Sequence, residues 1–216
     1  MTALVRYVGA TVGRSLRWVA PFLVFVLCEV VLDSDVGDVL PTYALSAAAL
    51  FFVATWLSVV VGNSESAVQE DVTVTAAGGR GRVRVAKLLV AYAGCLVLGG
   101  LGLVVPAVVT SGRVSVTDVV AGGIAQALTA LFGVALGSLC TRPVVDRTSW
   151  AVLVGAVVGL ADVAVPQAPP IRQLLALLGE TSPRHLGVLL LAIALETAVL
   201  SVLMVACALR ISARRA

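Results

Sequence analysis

The stretch NSESAVQEDVTVTAAGGRGRVRVAK, residues 63–87, decides how this chain is read. It is the longest polar interval in an otherwise apolar sequence. It holds seven of the 27 charged side chains (15 basic plus 12 acidic), acids first and bases last. A connection that only reverses the chain between two packed helices needs roughly five residues, so 25 residues call for another explanation. Ser66 and Gln69 stand at capping-box spacing. Glu70 and Asp71 fall early in the helix that follows, where the helix dipole favours acids. Ala67, Val68, Val72 and Thr75 form a modest apolar face, and Gly78 and Gly79 provide the stop. GRGRVRVAK then returns to the membrane with bases suited to the inner headgroups. The pattern predicts a short amphipathic helix, parallel to the membrane, held between two spans.

Composition supports a membrane setting. The chain has 216 residues, 60% hydrophobic and 12% charged, with mean hydropathy +1.07. A soluble domain carries about 25% charged residues, so the fold class predicted is an all-α integral membrane protein, one transmembrane domain over residues 1–216. The net charge of +3 implies no nucleic-acid partner, because the bases sit at membrane borders and form no patch. Fourteen of the fifteen bases are Arg, a bias that, with abundant Ala, Val and Gly, suits a GC-rich bacterial genome. Cys28, Cys95, Cys140 and Cys207 lie in or beside apolar segments with no CxxC pair, and read as small buried hydrophobes.

A spanning helix needs about 20 largely apolar residues. Six segments qualify: residues 17–32, 41–62, 85–109, 119–141, 150–166 and 186–209. The first and fifth are short and would be extended by Arg17 and Arg147 snorkelling to the headgroups. The first ends in Asp33, Asp35 and Asp38 with no small-x-small cleavage pattern, so it reads as a retained span and not a signal peptide. Twelve bases fall on one set of polar segments and three (Arg113, Arg172 and Arg184) on the other. That asymmetry places both termini and the 63–84 loop on the cytoplasmic side of a bacterial plasma membrane.

Two further segments read as interfacial. In residues 2–17, Leu4, Val5, Val8, Val12 and Leu16 recur at helical spacing with Arg6, Arg14 and Arg17 elsewhere around the wheel, as in a helix lying along the inner membrane surface. Residues 166–184 open with Pro166, Pro169 and Pro170, close near Pro183, and enclose IRQLLALLG, which is too short to span and reads as a re-entrant or outer interfacial helix. Gly9/Gly13, Gly133/Gly137 and Gly155/Gly159 are GxxxG pairs that permit close helix approach.

Several chemistries are excluded. There is no Walker A loop, since its Lys must follow Gly and Lys87 follows Ala86. His185 is the single histidine, which leaves no HExxH site, and neither GxSxG nor SxxK occurs. No catalytic residue, metal site or cofactor is expected on this chain. Acids inside spans are costly and usually face a bundle interior or cavity. Glu29 and Asp162 lie near outer ends and read as solvated. Glu196 lies near the middle of the last span, and two readings stand. It is protonated and bonded to a deep neighbour such as Gln126, or it lines a translocation path.

With its polar helix between spans two and three, the chain resembles the membrane subunit of a type-2 ABC exporter of the bacterial drug and polysaccharide export kind. The GGRGRVRVAKLL run is similar to actinobacterial permeases of this class. The resemblance covers the topology from end to end. It implies that the 63–84 segment is a coupling helix docking into a separate cytoplasmic ATPase subunit, with Ser64, Glu65, Ser66, Gln69, Glu70 and Asp71 the contact. It also implies a second permease, identical or paralogous, completing the path. ATP hydrolysis would then reside on the partner, and this chain would not be an enzyme. The outer helices here are shorter and more Pro-rich than in many such proteins. The competing readings are a proton-coupled secondary transporter using Glu196, and a membrane-embedded enzyme or assembly subunit that transports nothing.

Overall fold

In lipid, backbone N–H and C=O groups must be satisfied within the segment, which restricts a spanning chain to helices or a closed barrel. The structure, a computed structural model, describes residues 1–32, 39–109, 115–141, 171–179 and 186–214, with 153, 155 and 157. The described residues form eight helices: α1 Thr2–Ser15, α2 Val19–Leu32, α3 Val39–Gly62, α4 Ala67–Ala77, α5 Arg80–Val109, α6 Val116–Leu139, α7 Ile171–Gly179 and α8 Leu186–Arg214.

Four of these, α3, α5, α6 and α8, are long and apolar enough to cross a membrane. The expected first span is not among them. Its helix, α2, has 14 residues, a length of about 21 Å at 1.5 Å per residue, short of a hydrocarbon core of about 30 Å. Of the expected fifth span only Leu153, Gly155 and Val157 are described, each helical; the rest of 150–166 lies outside the described residues. Where the expected third span began at residue 85, α5 begins at Arg80. Gly78 and Gly79 take positive φ values of 73° and 149°, so the turn closes within two residues and the bases ride on the helix itself.

The centre of the bundle is α3 against α6, with α5 packed on both, α8 on α6, and α2 and α7 on α3. The α3 span is 72% buried and the α6 span 61%, against 28% for α5 and 22% for α8, which leaves the outer faces of α5 and α8 for lipid. Small residues bring α3 and α6 together. A Cβ on Gly133 would sit 2.8 Å from both Ala54 Cβ and Phe51 O, and one on Gly137 would sit 2.5 Å from Thr55 O. Ser58 Oγ donates to Val134 O at 2.9 Å across the same contact. The Gly133/Gly137 pair therefore serves packing inside the chain. Gly137→Ala is expected to push the helices apart and cost about 1–3 kcal/mol, read as a lowered thermal midpoint in detergent micelles; Gly100→Ala, where a Cβ meets nothing within 4 Å, serves as the silent control.

α1 packs on α5. Val8 and Val12 are buried, while Arg6 and Arg14 are exposed. The expected helix over 2–17 stops at Ser15, and Leu16 turns the corner in the left-handed region at φ 53°. Leu16 is 68% exposed and so leaves the apolar stripe to which its spacing assigned it.

Candidate functional site

The ends of α4 fall where the polar pattern predicts, at Ser66 and at Gly78. Ser66, extended at φ −69° and ψ 159°, caps α4 by accepting the Gln69 N–H at 3.3 Å. At the other end the Gly78 and Gly79 N–H groups donate to Thr75 O (3.3 Å) and Val74 O (3.0 Å), satisfying carbonyls that a helix end otherwise leaves open.

What holds the elbow to the bundle is buried. Lys87, about two turns into α5, places its Nζ 3.0 Å from Glu65 Oε2, 3.6 Å from Glu70 Oε1, and donates to Gly62 O at 3.3 Å. The Lys87 and Glu65 side chains are only 5% and 1% exposed. Oε2 meets the ammonium as an ion pair and not as an aligned hydrogen bond. Glu65 Oε1 accepts from Thr73 Oγ1 at 3.0 Å, so one carboxylate ties α4 to α5 and one ammonium ties both to the end of α3. Two outer ties join in: Gln69 Nε2 donates to Tyr7 Oη on α1 at 3.0 Å, and Arg80 pairs with Asp71 at 3.3 Å.

Of the bases suited to headgroups, Lys87 is buried and Arg84 half-buried, while Arg80 and Arg82 stay exposed. Arg84 donates to Ala208 O on α8 and to Thr141 Oγ1 (3.4 Å) beyond α6, and Arg82 donates to Ala77 O at 3.2 Å. Of the residues expected to contact a partner, Glu65 is sealed in the elbow and Glu70 faces Lys87. Ser64 is half-buried, and Ser66 and Gln69 are exposed but already bonded. Asp71 is exposed. The uncovered face of α4 is Val68 (77% exposed), Asp71, Val72 (65%) and Thr75.

A second polar group lies within the apolar bundle. Ser46 Oγ on α3 donates to Glu29 Oε1 on α2 at 2.7 Å and accepts from Gln126 Nε2 on α6 at 2.7 Å. All three are buried, at 4%, 1% and 2% exposure for Glu29, Ser46 and Gln126. The expectation that Glu29 is solvated is corrected: Gly102 on α5 leaves no room for a side chain beside Ser46, and Phe25 closes the group from α2. Gln126 is deep, as expected, but its amide serves Ser46, while Glu196 is half-buried on α8 with no hydrogen bond or ion pair to a described residue. The two residues are not brought together by a bond. Sequence reading missed the triad because Ser46 looks like any small residue in a span. The signal was Gly99 and Gly102, which face Gln126 and Ser46 at close approach.

Among the described residues no three His, Cys, Asp or Glu side chains cluster as metal ligands. Comparison with protein-family models, curated proteins and solved structures returns no match.

Proposed function

We propose that this chain is a permease subunit of an ATP-driven exporter, with α4 the element that transmits force from a cytoplasmic ATPase subunit to the spans. The observation that carries the reading is a helix capped at both ends, tied to α5 by a buried ion pair, with an apolar-and-acidic face that no described residue covers. A force-transmitting contact needs stiffness and a surface that fits a groove. The Lys87–Glu65 tie supplies the first, and the Val68–Val72 ridge, one helical turn apart with Asp71 beside it, supplies the second. On this reading the contact shifts from the 64–71 segment to Val68, Asp71, Val72 and Thr75, since Glu65 points inward. A second permease, identical or paralogous, completes the path, and the α4 side of the bundle faces the cytoplasm of a bacterial plasma membrane.

Val68→Arg with Val72→Arg is expected to weaken association with a partner carrying a GxxxxGK[ST] loop at least about tenfold. The thermal midpoint and helix content should stay unchanged, because both side chains are exposed. The measurement is co-purification from mild detergent. Undiminished recovery of the ATPase would count against α4 as its docking element.

A further inference from the structure

We infer that the corner between α1 and α2 is a binding site for one anionic phospholipid of the surrounding bilayer, its acyl chain in the cleft against α5 and its phosphate against Arg14 and Arg17. The inference is independent of the exporter reading.

The cleft is an apolar cavity of about 450 Å³ bounded by α1, α2, α3 and α5, within the range of small-molecule pockets. Gly9 and Gly13 line it from α1, and nothing lies within 4 Å of where their Cβ atoms would be. The wall on α5 runs from Val90 to Leu98, a rise of about 12 Å along the helix. That length suits part of an acyl chain entering along the span. Trp18 stands in its lining and donates its ring N–H to Gly13 O at 3.3 Å, which fixes an indole at the rim, where membrane proteins place Trp at headgroup level.

Charge separates this corner from the other basic cluster. Arg80, Arg82, Arg84 and Lys87 all bond within the chain. Arg14 and Arg17, exposed and adjoining the cleft residues Gly13 and Trp18, have no carboxylate or hydrogen-bond partner among the described residues. An apolar slot whose lining residues Gly13 and Trp18 are flanked in the chain by the exposed Arg14 and Arg17 matches a lipid with acyl chains below and negative charge above. Guanidinium groups bind phosphate in a fork geometry. Neither the slot nor the arginines alone selects an anionic lipid; their adjacency does.

The test is native mass spectrometry of the full chain in neutral detergent, titrated with dioleoyl phosphatidylglycerol or dioleoyl phosphatidylcholine, which share their acyl chains. The wild type is expected to retain one phosphatidylglycerol in preference to phosphatidylcholine. Arg14→Gln with Arg17→Gln should weaken phosphatidylglycerol about 30-fold, at roughly 1 kcal/mol for each basic residue near anionic lipid, and weaken phosphatidylcholine, whose choline offsets the phosphate charge, by much less. Gly9→Leu with Gly13→Leu should fill the slot and reduce both lipids at an unchanged thermal midpoint. Equal retention of the two lipids by the wild type would overturn the site, and so would indifference to the Arg changes. A wild-type dimer in light scattering that the Gly changes convert to a monomer would also overturn it, assigning the slot to a second copy of the chain.

Discussion

Lys87→Met is expected to be among the most damaging single substitutions in this chain, lowering stability by about 3–5 kcal/mol, the cost of removing one partner from a buried ion pair. The reason is geometric. Glu65 has a 1% exposed side chain, and the ammonium of Lys87 is its only cationic partner among the described residues. Met keeps the length of the stem but leaves that carboxylate facing an apolar tip, and Gly62 O loses its donor as well. The damage should concentrate in the elbow. Amide exchange in α4 is expected to rise well before that of α3 or α6, because α4 packs mainly on α5 and its remaining polar ties are exposed. Asp71–Arg80, at 68% and 46% exposure, contributes less than about 1 kcal/mol. Lys87→Met combined with Glu65→Leu removes both charges and should regain most of the loss, while Thr73 Oγ1 keeps its bond to Gln69 O at 2.9 Å. A double variant as unstable as Lys87→Met alone would mean that the ion pair is not what holds the elbow.

Ser46→Ala should produce the next largest effect from the smallest change in volume. The hydroxyl is donor to Glu29 and acceptor from Gln126 at once. Its loss takes a bond from two buried groups on different helices, each at about 1–3 kcal/mol. Thermal unfolding in micelles checks the size. A double-mutant cycle with Gln126→Leu checks the cause, since groups in one network couple by about 0.5–3 kcal/mol and independent sites do not. A coupling energy of zero would remove the network from the account and leave three unrelated buried residues.

These two sites also mark where sequence reading runs out. The long apolar helices were legible because each is a continuous apolar run of about 20 residues, the length of a spanning helix and about twice that of a barrel strand. The ends of α4 were legible because Ser66, Gln69 and the Gly78–Gly79 pair are local signals, and IRQLLALLG forms α7 between the residues its prolines suggested. The capping box at Ser115 and Asp118, which starts α6 ahead of its apolar run, was present in the sequence as S-x-x-D and went unread. The partners of the polar residues were not legible. Lys87 carries the same charge as Arg80, which sits outside, and only the fold turns one to Glu65 and the other to Asp71. Likewise Gln126 had to be near some polar group, yet Ser46 lies 80 residues away and Glu29 is reached only through it. The first span, already short in the sequence, has 14 helical residues among those described.

The claim at the centre of the account is that the outer face of α4 seats a partner that hydrolyses ATP. The most direct measurement puts a photo-crosslinking side chain at Val72, 65% exposed, and in a parallel sample at Thr73, 9% exposed, and irradiates intact membranes of cells expressing the full chain. The account predicts an adduct from position 72 to a protein containing a GxxxxGK[ST] loop, and none from position 73. Adducts from position 72 to lipid alone, or to no protein with such a loop, would contradict it.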